Sequence, residues 1–500
     1  MQTLTRVPKF YFALGMLSLL AAVGCGTYGG SPSLVHTTGN FTNGSLKGSY
    51  VYQIHGVSVA SGSVYRQVGV FTADGNGNIT GGTDDSSVNA GGTAVSGVYT
   101  VGNDGTGFLT INTSLGQITL GITLVSSSKL ELIENDAALD AAGTAELQQS
   151  TVAPSGTFVF RLHQDAAAQS PSTEATEVGA FTVSSGAGNG AMDQNLNGTF
   201  TSPNLTVTLN APVNSGRGTG NLVDTSANFT TALVYYVVNN GKLVLLVTNA
   251  GAVGSGSAEV QTGSVGGGLS GTYVFGSRGD DSFLDGVATA GQFTASAGVL
   301  SGTEDVMVDG NFSANVNFPS TCYTAGSAGG ISGRVVLTSG SGAPCSGSTT
   351  QVFWMVSPSR AFFLDNSGTT IEDGTVDLQT GNSFSASSLK GQFVIVMDGL
   401  DRTPEQVGLP DQILARLGTL QFDGAGNLTL NELVNASGSG GGGQSPGVLT
   451  GTYTVASNGR VVASLNGNTL NLVMYAVSGS QAYVLQGDAG VITSGTVELQ

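Results

Sequence analysis

The chain has 500 residues, 40% hydrophobic and only 10% charged, and its 33 acidic against 15 basic residues give a net charge of −18. That length exceeds one compact core, and that apolar content excludes a disordered chain. Lys and Arg are too few and too scattered for a phosphate-binding surface, which excludes nucleic acid as a partner, and 78 glycines without a G-X-Y period exclude collagen.

The N-terminus reads as an export signal. Arg6 and Lys9 precede an apolar run from Phe10 to Val23, too short and too early for an ordinary membrane span. The run ends in Leu20-Ala21-Ala22-Val23-Gly24-Cys25, which resembles the lipobox of bacterial lipoproteins, with Ala22 where Leu is commoner. The resemblance implies that residues 1–24 are a signal peptide and that Cys25, acylated by palmitate-like chains, becomes the first mature residue. Several acyl chains anchor stably where one does not. Gly26 in place of Asp implies the outer membrane or cell surface. Residues 25–44 are expected to be a flexible tether.

Beyond the tether the chain repeats itself four times. An opening marker reads Gly48-Ser-Tyr-Val-Tyr52, Gly156-Thr-Phe-Val-Phe160, Gly271-Thr-Tyr-Val-Phe275 and Gly391-Gln-Phe-Val-Ile395. A closing marker reads Gly143-Thr-Ala-Glu-Leu-Gln148, Gly256-Ser-Ala-Glu-Val-Gln261, Gly374-Thr-Val-Asp-Leu-Gln379 and Gly495-Thr-Val-Glu-Leu-Gln500. A third lies between them, at Gly69, Gly179, Gly291 and Gly418. Markers in step define domains 45–149, 150–262, 263–380 and 381–500. The Gly/Ser-rich connections, such as Gly263 to Gly268, are expected to be exposed hinges.

Within a unit the periodicity is two. Tyr50, Tyr52 and Ile54 share one face of the opening strand, and Val51, Gln53 and His55 the other; unit two repeats this with Phe158, Phe160 and Leu162 against Val159, Arg161 and His163. In unit one further strands are expected near 65–73, 77–84, 95–102, 106–112, 117–125, 129–134 and 143–149, with hairpin signals at Asp74 to Asn78 and Asn103 to Gly107. The one helix candidate, Pro410 to Leu414, runs into an expected strand. The fold class is therefore all-β. Each unit is expected to be an antiparallel up-and-down barrel of about eight strands, similar in layout to lipocalins and avidin, because closure removes sheet edges. An immunoglobulin-like sandwich is the alternative, but its Cys…Trp…Cys spacing is absent and Trp354 is the single Trp. As a whole the chain resembles repeat-containing lipoproteins of soil bacteria without assigned activity, which implies a fold and no mechanism.

Candidate chemistry is thin. Asp74-Gly-Asn-Gly-Asn78 superficially resembles a calcium loop, but the matched positions are Ser184, Ser296 and Asp423, so turn chemistry is the better reading and no metal is expected. His36 lies in the tether. His55 and His163 stand seven residues after their opening glycine, where units three and four have Arg278 and Asp398; they read as exposed residues on the outer face. The pairs Asp84-Asp85, Asp280-Asp281 and Glu304-Asp305 point to opposite faces of a strand and read as exposed turn charges. Gly216 to Gly220 reads as a hairpin, and Gly440 to Gly443 as a loop insert. Cys322 and Cys345, an even pair in an exported chain, are expected to form a disulfide. No catalytic residue and no cofactor is assigned. The expected function is a non-enzymatic, lipid-anchored envelope or surface protein, a monomer whose modules act as spacers or adhesive units toward a protein or glycan. Ligand binding inside a barrel is the alternative, and a hydrolase ranks below it.

Overall fold

A computed structural model describes residues 39–500 apart from 60, 136–138, 167–173, 282–285, 319–320, 341–346, 367, 369, 382, 403–411 and 437–444. The four opening markers lie on strands Lys47–Ser58, Gly156–Ala166, Gly271–Asp281 and Lys390–Asp401. Each marker glycine has a φ between +113° and +125°, a backbone state that side chains rarely adopt, which explains why glycine stands there in every unit. The aromatic residues that follow point inward. Tyr52 sits opposite Gly69 of the next strand, and a Cβ at Gly69 would come within 2.6 Å of the Tyr52 ring. Gly291 stands in the same relation to Phe275. In barrels I and III the third marker is thus the floor on which an inward ring lies.

In unit one the strands run Lys47–Ser58, Val64–Asp74, Asn78–Ser86, Ser96–Val101, Thr106–Thr113, Gly116–Ser126, Lys129–Glu134 and Leu139–Leu147, and the last pairs with the first. Tyr52, for example, faces Gly69 on one side and Ala145 on the other. All four units close this way, giving eight-stranded antiparallel barrels I to IV in chain order, not sandwiches. A short extra strand, unforeseen in the sequence, folds back on the third strand in barrels I to III: Asn89–Ala94, Thr199–Thr201 and Asn311–Asn317. The closing strand of barrel I starts at Leu139, ahead of the expected 143. Residues 412–414 of the helix candidate belong to strand Gln412–Asp423, and 410–411 lie outside the described residues.

The barrels are filled. In barrel I, Tyr50 stacks on Phe71 at 5.6 Å, and Tyr52, Leu109, Leu120 and Leu132 pack the same fully buried core. Phe158 on Phe181 and Tyr273 on Phe293 repeat the stack in barrels II and III.

The outward Val of each opening marker is buried too: Val51, Val159, Val274 and Val394 are at most 1% exposed. Each packs on a neighbouring barrel. Val51, Val68 and Val70 of barrel I meet Val234, Tyr236 and Leu246 of barrel II. Val159 and Val178 of II meet Val352, Trp354 and Leu364 of III. Val274, Ala288 and Met307 of III meet Val473, Tyr475 and Leu485 of IV. Val394, Leu417 and Leu433 of IV return to Val125, Ile133 and Ala142 of I. The first strands of each barrel therefore pack on the late strands of the next, and the fourth seam closes a ring.

Two sequence expectations fail here for one reason: apolar residues in a supposed linker bury themselves. Gly263 to Gly268 is not an exposed hinge throughout, since Val265 and the following Leu269 are buried in the core of barrel III. The described end of the tether is not free either. Phe41 packs on the core of barrel I, and the Tyr99 hydroxyl donates to the Asn43 and Leu46 carbonyls.

Candidate functional site

Side chains on the outward face of one strand share a direction every second residue. In the closed ring the far ends of the opening strands turn that face toward a common axis, and the four residues seven positions after each opening glycine converge there. His55 Nε2 lies 2.9 Å from Asp398 Oδ2, and Arg278 Nη1 donates to both oxygens of Asp398, at 2.8 and 2.7 Å. The expectation of exposed, unrelated residues at His55, His163, Arg278 and Asp398 is thus corrected. Three of these matched positions, His55, Arg278 and Asp398, meet each other and differ because they are complementary, while His163 takes its partners from other positions.

The second half of the cluster surrounds His163. Its Nδ1 lies 2.9 Å from Asp373 Oδ1 of barrel III, its Nε2 lies 2.9 Å from Glu174 Oε1, and Asp165 Oδ1 stands 3.8 Å from the same nitrogen. Arg66 of barrel I donates to Asp165 Oδ2 at 2.8 Å, and Arg161 Nε lies 3.2 Å from Asp373. These groups line a central cavity of about 1010 Å³ to which all four barrels contribute.

The electrostatics follow from burial and pairing. Burial opposes charge on His163, but hydrogen bonds to Asp373 and Glu174 outweigh it and raise the imidazolium to about 10. Burial and the Glu174 carboxylate beside it push Asp280 up to about 8. His55 goes the other way: burial lowers it despite Asp398. Asp398 is held well below the usual carboxylate range, burial being outweighed by Arg278 and His55.

The carboxylate pairs are not exposed turn charges. Asp84 points into barrel I, accepting from the Tyr52 hydroxyl at 2.5 Å and from Gln67 Nε2 at 2.7 Å. Asp85 points out, is fully buried, and is gripped by Arg217 and Tyr236 of barrel II. Arg334 Nε and Trp354 Nε1 of barrel III each donate to Asp193 at 2.8 Å, and Arg460 of barrel IV grips Asp305 at 2.6 and 2.7 Å. The two faces do diverge as expected, but the outer one is a seam. Asp280 joins the axial cluster; the Asp281 side chain lies outside the described residues.

The closing marker is also seam chemistry. Gln148 Nε2 donates to the Ser215 and Val237 carbonyls of barrel II, Gln261 to Ser332 and Met355 of III, Gln379 to Asn458 and Ala476 of IV, and Gln500 to Asp104 and Leu124 of I. Glu146 pairs with Lys242, Glu259 with Arg360, and Glu498 with Lys129, again across seams. In the sequence these residues serve only to mark where each unit closes. A Gln and an acid recurring at one strand end were the available signal.

Other candidates are placed simply. Asp74 Oδ1 accepts from the Asn76 and Asn78 amides at 2.7 and 3.1 Å, and Asp423 repeats this with Ala425 and Asn427, which is turn chemistry. These bonds, led by the Asn78 and Asn427 side chains, lower both carboxyls to about 2. Arg217, in the expected hairpin, begins strand Arg217–Asp224. Cys322 lies buried on strand Thr321–Ala328. Cys25, His36, Cys345 and Gly440 to Gly443 lie outside the described residues.

No family model matches the chain, and no curated protein does. Among solved structures it is similar to intact Ap-TbpB, described with its N and C lobes, at 9% identity over 76% of this chain and 86% of that one. The TM-score is 0.19, too low for that likeness to bear on function.

Proposed function

We propose that the protein is a non-enzymatic, lipid-anchored envelope protein that acts as one rigid block, presenting the outer surface of a four-barrel ring to a protein or glycan partner. The observation that carries this reading is the closure of the ring by residues every repeat shares, the acid and the Gln of the closing marker. A chain of loose spacers would have no use for them. The barrel interiors hold their own aromatic residues, which argues against a ligand inside a barrel. Cys25 is the anchor in this reading, with the outer membrane or cell surface as its place.

The test uses cells expressing the wild type and Cys25→Ser. The wild type should take up a fatty-acid analogue, sediment with the envelope and be shaved by external protease; the variant should do none of these. Acylation of Cys25→Ser would overturn the anchor. Turnover in a broad hydrolase screen, abolished by one carboxylate substitution, would overturn the non-enzymatic reading.

A further inference from the structure

We propose that the ring axis holds a divalent first-row transition cation, ligated by His163, Asp165 and Glu174 of barrel II with Asp280 of barrel III beside them. One ligand atom from each of the first three lies within 4.8 Å of the others. In a tetrahedral site with bonds of about 2.0–2.1 Å, ligand atoms are about 3.3 Å apart. The two separations at His163 Nε2, 2.9 Å to Glu174 and 3.8 Å to Asp165, bracket that value.

Three further observations point to a ligand. First, the imidazole is oriented as metal-bound imidazoles are. Asp373 takes Nδ1 at 2.9 Å, which turns Nε2 toward the two carboxylates. Second, Glu174 is only 2% exposed, and its Oε2 has no amide, hydroxyl or basic donor, only the acid group of Asp280 beside the carboxylate. A buried carboxylate faced by a second acid is costly, and a cation would satisfy both. Third, the Asp280 carboxyl stands against Glu174, so two acid groups from different barrels share one spot on the wall of the central cavity.

The donor set selects the class of cation. One imidazole with two or three carboxylates suits Zn²⁺ or its first-row neighbours. Ca²⁺ wants six to eight oxygens, which the site does not offer. Arg66 holds the far oxygen of Asp165 and so fixes a ligand without occupying the position. Among the described residues the matched His55 of barrel I builds no such site, since Asp398 and Arg278 pair with it and with each other. With Asp280 as a ligand, the cation would tie barrel II to barrel III at the axis.

The inference is independent of the proposed surface role. The test is Zn²⁺ titration of the metal-stripped full chain by calorimetry, with metal content measured after gel filtration. One Zn²⁺ per chain is expected, with a raised melting temperature. His163→Gln and Glu174→Gln should each abolish stoichiometric uptake, and Asp373→Asn should weaken it about 10–100-fold. Circular dichroism reports whether each variant is folded. Co²⁺ on the wild type gives a readout that needs no variant: intense visible bands of tetrahedral Co²⁺ are expected. Absence of stoichiometric uptake by the folded wild type, uptake unchanged in folded His163→Gln, a preference for Ca²⁺, or weak octahedral Co²⁺ bands would each overturn the proposal.

Discussion

Arg217 of barrel II grips Asp85 of barrel I in a two-pronged fork, Nε to Oδ2 at 2.7 Å and Nη2 to Oδ1 at 2.8 Å, while the Tyr236 hydroxyl donates to the same carboxylate at 2.6 Å. The second and third seams repeat the clasp with Asp193, Arg334 and Trp354, and with Asp305, Arg460 and Tyr475. The fourth does not. By strand register, Leu433 takes the acid's place, Thr106 that of Arg and Thr123 that of the aromatic. All three members change together, so the closing seam replaces the charged clasp with a coordinated uncharged set.

Breaking one member of a buried, hydrogen-bonded ion pair leaves the other uncompensated, at a cost of about 3–5 kcal/mol. Asp85→Ala should lower the melting temperature and raise amide exchange along the first seam. Leu433→Asp should destabilise the fourth seam for the same reason, a lone carboxylate among apolar neighbours. Adding Thr106→Arg and Thr123→Tyr should recover much of that loss. Calorimetry of the single and triple variants checks this, and no recovery in the triple variant would refute the equivalence of the seams.

Barrels II and III carry both halves of a clasp: Asp193 with Arg217 and Tyr236 in one, Asp305 with Arg334 and Trp354 in the other. Barrel I offers only the acid and barrel IV only its grip. Each barrel has its own core, so isolated units should fold. Fragments 150–262 and 263–380 should then associate head to tail, a mode that yields rings or filaments, whereas 45–149 and 381–500 should associate less. Light scattering after gel filtration measures this. Asp193→Ala should make the 150–262 fragment monomeric.

The barrels were legible because their signals are local. Tyr50 and Tyr52 alternate with Val51, and Asp74 to Asn78 announces a hairpin. The ring was not, because its signals join residues hundreds of positions apart, as His55 and Asp398 are. Comparing His55, Arg278 and Asp398 as copies of one position hid that they are partners. The clue that remained was the marker Val: a strand apolar on both faces is buried on both. His163 and Asp165, two apart and therefore on one face, carried a further hint, but Glu174 and Asp280 reach them only through tertiary structure.

The pairing of Cys322 with Cys345 rests on the sequence, as residues 341–346 lie outside the described ones. Closing the 22 residues between them should contribute about 3 kcal/mol by the chain-entropy model. Thiol counting on the denatured, unreduced mature protein should find neither cysteine reactive. Two reactive thiols would refute the bond, and reduction should lower stability chiefly in barrel III.

A buried acid inside barrel II makes stability depend on pH. Glu177 is fully buried, and its Oε1 accepts from Gln164 Nε2 at 2.8 Å and Gln194 Nε2 at 2.6 Å. Burial outweighs these two amides and pushes the carboxyl from 4.5 up to about 7. The folded chain therefore keeps this proton over a range in which the unfolded chain has released it. The contribution is complete below about 4.5 and is lost as pH rises through about 7, a change of about 3 kcal/mol. Glu177→Gln can still accept from both amides but cannot ionise. Its stability, measured by urea unfolding between pH 5 and pH 8, should fall by about 2.5 kcal/mol less than that of the wild type. Equal falls in the two proteins would show that the Glu177 carboxyl is not raised.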